Sequence, residues 1–88
     1  MEMKINKYSL ANAIANKVKY NLDEINDYSK INFMRVLNLI DDLETDDPVR
    51  IIIYVVETLA QSLNQETQNK IIDEIINDIE FQYKIKLI

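Results

Sequence analysis

"DDPVRIIIYVVETLAQSL", residues 46–63, decides the fold, because its β-branched run reads in two ways. Valine, isoleucine and tyrosine in succession are the residues favoured on a pleated strand. The flanks favour a helix instead. Asp47 is a good N-cap, and Pro48 stands at the first helical position, where its missing N–H costs nothing. Val49, Ile52, Ile53, Val56, Leu59, Ala60 and Leu63 then recur at steps of three and four, so the spacing predicts a helix from Pro48 to about Leu63. Ile51, Tyr54 and Val55 add a second apolar face, which predicts that this helix is the buried centre of its domain.

Working outward, "NFMRVLNLIDDL" (residues 32–43) places Phe33, Val36, Leu37, Ile40 and Leu43 on one helical stripe. Its helix is expected from around Ser29 to about Glu44. Met34 and Leu39 fall off the stripe, so the apolar surface is wider than a single helix–helix seam needs. Either the protein's own core covers the excess, or another molecule does. Before it, Ser9 is a plausible N-cap for a helix running to about Leu22, with Leu10, Ile14, Val18 and Leu22 spaced by four and Ala11 and Ala15 alongside. Asp23–Asp27 either continue that helix or form a short turn, and Asn21 and Asn26 could supply left-handed residues.

After residue 63, Asn64 is the expected N-cap of a last helix, with Ile72, Ile75, Ile76, Ile79 and Tyr83 as its stripe. "QYKIKLI" alternates apolar and polar residues, as "MEMKI" does at the start, which allows a two-stranded pairing. Helix through Tyr83 is the preferred reading. No linker, repeat or second domain is visible. The expected fold is all-α: residues 1–88 as one compact, single-domain bundle of four or more helices.

A chain of 88 residues buries roughly 60–65% of its unfolded surface, enough for a modest core. Hydrophobic residues make up 48% and charged residues 28%, a globular composition. No apolar run reaches a membrane span, and "MEMKINKYSL" lacks a signal-peptide core, so a soluble, cytoplasmic chain with no membrane association is expected. The net charge of −5 is uneven: residues 1–20 are net positive, and the rest is acidic. Acidic surfaces repel a phosphate backbone, so direct nucleic-acid binding is disfavoured. They suit a basic protein partner, and they equally suit plain solubility.

Much catalytic chemistry lacks its residues. There is no cysteine, histidine or glycine, which removes thiolate and imidazole ligands, the commonest general base, and phosphate-cradling loops. "DDLETDD" (41–47) has the acids of a calcium loop, but it lacks the glycine and contains a helix end and an N-cap. "DEIIND" (73–78) reads as a solvated helix face. Tyr8, Tyr20, Tyr28, Tyr54 and Tyr83 are not interleaved with basic residues as a stacking platform would be, and they fit core-edge or interface roles better. A protein without catalysis, metal or cofactor is expected.

"NFMRVLNLID" (32–41) and "LNQETQNKIIDEI" (63–75) carry a family likeness. In Asn32, Phe33, Leu37, Asn38 and Ile40, and in Leu63, Gln65, Glu66, Ile72, Asp73 and Glu74, the chain resembles the AsiA anti-sigma proteins of T4-like bacteriophages. These are small, acidic and all-helical. A weaker similarity includes Ile5, Ala15 and Glu24. Residues 44–62 depart from the family, being more apolar. The resemblance implies binding to region 4 of the host's housekeeping sigma factor on RNA polymerase, with loss of −35 promoter recognition. With a phage co-activator, the polymerase is then redirected to phage promoters. It also implies self-association when no sigma is present. Carried onto this chain, the binding face comprises Leu10, Ile14, Val18 and Tyr20 of the first helix, with Phe33, Val36, Leu37 and Ile40 of the second beside or beneath it. In any helical bundle the same residues would be mostly core.

Two other readings stay open. One is a small acidic immunity or inhibitor protein that neutralises a toxin or defence enzyme, with Asp41, Asp42, Asp46 and Asp47 as its hot spot. The other is a purely structural homodimeric bundle.

Overall fold

The structure, a computed structural model, describes residues 5–21 and 32–87. These form four helices: α1 (Lys7–Asn21), α2 (Phe33–Asp42), α3 (Pro48–Leu59) and α4 (Gln65–Tyr83). The fold is all-α, as the periodicity predicts. The alternatives for Asp23–Asp27, and most of the residues in the first half of the two-strand option, lie outside the described residues.

Each helix starts on a short polar side chain that accepts a backbone N–H left without an intrahelical partner. Asp47 accepts from Val49 N–H at 3.1 Å, and Asn64 from Thr67 N–H at 2.8 Å, both as expected. Two starts differ from the sequence reading. Asn6, not Ser9, begins α1, its side-chain oxygen accepting the Ser9 N–H at 2.8 Å. α2 begins later than Ser29, because extended Asn32 takes the Arg35 N–H at 2.8 Å. Asparagine caps as well as serine, and at both places it stands immediately before the helix.

The end of α3 is also earlier than expected. Its ladder closes with the Ala60 N–H on the Val56 carbonyl, and Leu63 N–H then bonds Ala60 O at 3.0 Å in a turn. Buried Gln68 of α4 holds that turn, its side-chain amide donating to Ala60 O at 2.9 Å and to Leu63 O at 3.0 Å. α4 runs through Tyr83 and stops at Lys84, which is left-handed at φ 54°, ψ 42°. Ile85 N–H returns to Glu80 O at 3.3 Å, and Leu87 N–H reaches the Glu80 carboxylate at 2.7 Å. Ile85 and Leu87 thereby fold back against the core.

α1 and α3 each touch all three other helices and form the centre of the bundle. The core is aliphatic, built on Leu10, Ile14 and Val18 of α1, Val36 and Ile40 of α2, Ile51, Ile52, Val55 and Val56 of α3, and the isoleucines of α4. The core takes residues from both apolar faces of α3 and leaves one of each outside: Ile53 and Tyr54 remain 36% and 39% exposed. The inward seam joins Ile52 and Val56 of the expected stripe to Ile51 and Val55 and leaves Ile53 out, a choice that a helix apolar all round does not reveal. The excess apolar surface of α2 also divides. Leu39 is buried in the protein's own core, while Met34 stays 59% exposed. Among the described residues, no helix is long and apolar enough to cross a membrane.

Candidate protein-binding surface

The eight residues singled out from the sequence are brought together by the packing of α1 on α2, but chiefly as core. Leu10, Ile14, Val18 and Val36 have no exposed surface, and Leu37 and Ile40 are buried. Phe33 is half-buried. Tyr20 alone stands out, 75% exposed. In this arrangement the first six reach no partner. A charge placed at Ile14 or Val18 would disrupt the bundle rather than report on a surface.

Tyr20 and Phe81 are the most exposed aromatics among the described residues. Phe81 of α4, which sequence reasoning passed over, is 87% exposed. It follows Ile79 by two residues and so points about 200° away from that core residue. That displacement from the stripe was its signal in the sequence. Tyr20 lines a groove between α1 and α4 with Ala13, Asn16, Lys17, Ile75, Asp78 and Gln82. Phe81 borders an adjoining depression that shares Asp78 and Gln82 with this groove. The two aromatics therefore flank one stretch of α4.

Lys17 Nζ crosses that stretch to Asp78 at 2.7 Å, tying α1 to α4. The hydrogen bond to Asp78 raises the lysine above its ordinary pKa, so Lys17 is charged near neutrality. α4 carries Glu66, Asp73, Glu74, Asp78 and Glu80 against the single base Lys70, so Phe81 sits on an acidic helix.

Among the described residues, five of the six aromatics stand outside the core, and Phe33 packs half-buried against it. Tyr8, Tyr20, Tyr54, Phe81 and Tyr83 are all exposed, and no aromatic joins the fully buried set among the described residues. Folding here is done by isoleucine, leucine, valine and alanine. Tyrosine and phenylalanine on the surface are the side chains enriched where proteins meet.

The acidic hot spot expected for an immunity-type inhibitor is partly engaged internally. Asp41 pairs with Lys7 at 3.0 Å, and Asp47 caps α3. Asp42 and Asp46 project outward. Among the described residues no group of three acidic side chains converges as metal ligands would. Comparison with protein-family models, curated proteins and solved structures finds no match to this chain.

Proposed function

We propose that this protein acts by binding another protein, as an anti-sigma factor directed at region 4 of a bacterial housekeeping sigma factor, without catalysing a reaction. One observation carries the binding role: five of the six described aromatic side chains are exposed, with Tyr20 and Phe81 on adjoining depressions along acidic α4. Exposed aromatics give a contact its anchors. The acidic surround selects a basic partner and speeds encounter with it. The choice of sigma region 4 rests on the resemblance in residues 32–41 and 63–75, and on the basic surface by which that region grips DNA. Tyr20 belongs both to the face implied by that resemblance and to the exposed patch.

Calorimetric titration into isolated region 4 fragments from several bacterial hosts tests the reading. One-to-one binding that weakens with added salt is expected. Absence of heat with every fragment would remove the anti-sigma assignment. In that case a basic toxin or defence enzyme becomes the next partner to try.

A further inference from the structure

The groove between α1 and α4 already holds a cation. Lys17 Nζ reaches across it to Asp78 at 2.7 Å, and that hydrogen bond, joined by the charges of Asp78 and Glu74, holds the ammonium above its ordinary pKa. The Lys17 side chain is 26% exposed and that of Asp78 57%, so the carboxylate keeps an outward side open to a second donor. The same groove carries the exposed ring of Tyr20 and the exposed side-chain amides of Asn16 and Gln82, whose oxygens accept hydrogen bonds. Its volume, about 310 Å³, lies at the small end of ligand sites and suits one side chain rather than a cofactor. Carboxylate, aromatic face and amide acceptors together are the complement of a guanidinium. That group forks onto a carboxylate, stacks on a ring and donates its remaining N–H groups sideways. An ammonium is a point charge and uses little beyond the carboxylate.

We infer that this groove takes an arginine side chain of the protein partner, its guanidinium replacing the Lys17 ammonium on Asp78 and stacking on Tyr20. Lys17 is the internal stand-in that keeps Asp78 paired while no partner is present. On docking, Asp78 exchanges one cation for another, so its charge is not left unpaired as the interface closes over it. The displaced Lys17 swings out to solvent on its flexible stem. The inference rests on the partner-binding reading of the Tyr20 patch and names the side chain that the patch recognises. It does not require that partner to be a sigma factor.

Titration of the full chain with N-acetyl-arginine N-methylamide, followed by two-dimensional NMR at low salt and neutral pH, tests it without any sigma fragment. The amide signals of residues 16–20 and 78–82 should move together and saturate, and the lysine analogue should bind about threefold or more weakly. Lys17→Met removes the internal competitor and should tighten arginine binding several-fold. Asp78→Asn should lose it. Circular dichroism checks that both variants keep their helices. Signals that stay still in the groove, equal binding of the lysine analogue, no tightening in Lys17→Met, or binding that survives Asp78→Asn would each overturn the inference. If region 4 binds but arginine does not reach the groove, this inference alone falls. If arginine binds and region 4 does not, only the anti-sigma assignment falls.

Discussion

Lys84 takes a left-handed conformation, φ 54°, at the end of α4, in a chain that contains no glycine. The conformation is needed because it lets Ile85 and Leu87 return to the core through Glu80. A side chain there crowds the backbone, so Lys84→Gly should stabilise the protein by about 1 kcal/mol, read from urea unfolding. Gln68 works in the opposite sense. It donates to the Ala60 and Leu63 carbonyls from a buried position, and Gln68→Leu should cost about 1–3 kcal/mol by removing both bonds, leaving Ala60 O only the Leu63 N–H. Gln68→Glu sharpens the test. A carboxylate facing two carbonyls is destabilised, so its folded pKa lies above its unfolded value, and the variant should regain stability relative to wild type as pH falls toward 4 or so. The caps at Asp47 and Asn64 were legible in the sequence because capping is local. Gln68 was not, because in "NQETQNK" it reads as one more solvated polar residue, and its Ala60 partner lies in the preceding turn.

Ion pairs join the helices on the outside, among the described residues Lys7–Asp41 between α1 and α2 and Lys17–Asp78 between α1 and α4. In each, the hydrogen bond to the aspartate raises the lysine above 10.5, its ordinary value. A base whose folded pKa is raised contributes stability that is complete below the unfolded pKa and is lost as pH rises through the folded one. Urea midpoints of wild type and of Lys7→Met/Lys17→Met should therefore differ near neutral pH and converge above pH 10.5. The difference should be small and should shrink in salt, since both pairs are solvent-accessible. Equal midpoints at every pH would show that the pairs add nothing. Periodicity gave the existence of all four helices. It did not give the inward face of α3, because Ile51, Ile52, Ile53, Val55 and Val56 satisfy either choice, and only packing against α1, α2 and α4 adds Ile51 and Val55 to the seam and leaves Ile53 out. The family resemblance places the apolar stripe of α1 on a binding face. Leu10, Ile14 and Val18 are the contact residues of α1, but the contact is with its own bundle.

Among the described residues, core and surface divide by residue type: branched aliphatics inside, acids and every aromatic but half-buried Phe33 outside. One surface follows from that division: the Tyr20–Phe81 patch borders acidic α4 and suits a basic partner. The central claim is that Tyr20 and Phe81 serve binding rather than folding. The most direct measurement compares Tyr20→Ala and Phe81→Ala with wild type, in both urea unfolding and titration with sigma region 4. Side chains 75% and 87% exposed contribute little to the core, so the unfolding midpoints should stay close to wild type. Binding should weaken by about tenfold or more for each, the loss of a hot-spot residue. Midpoints that collapse, or an affinity indifferent to both substitutions, would contradict the account.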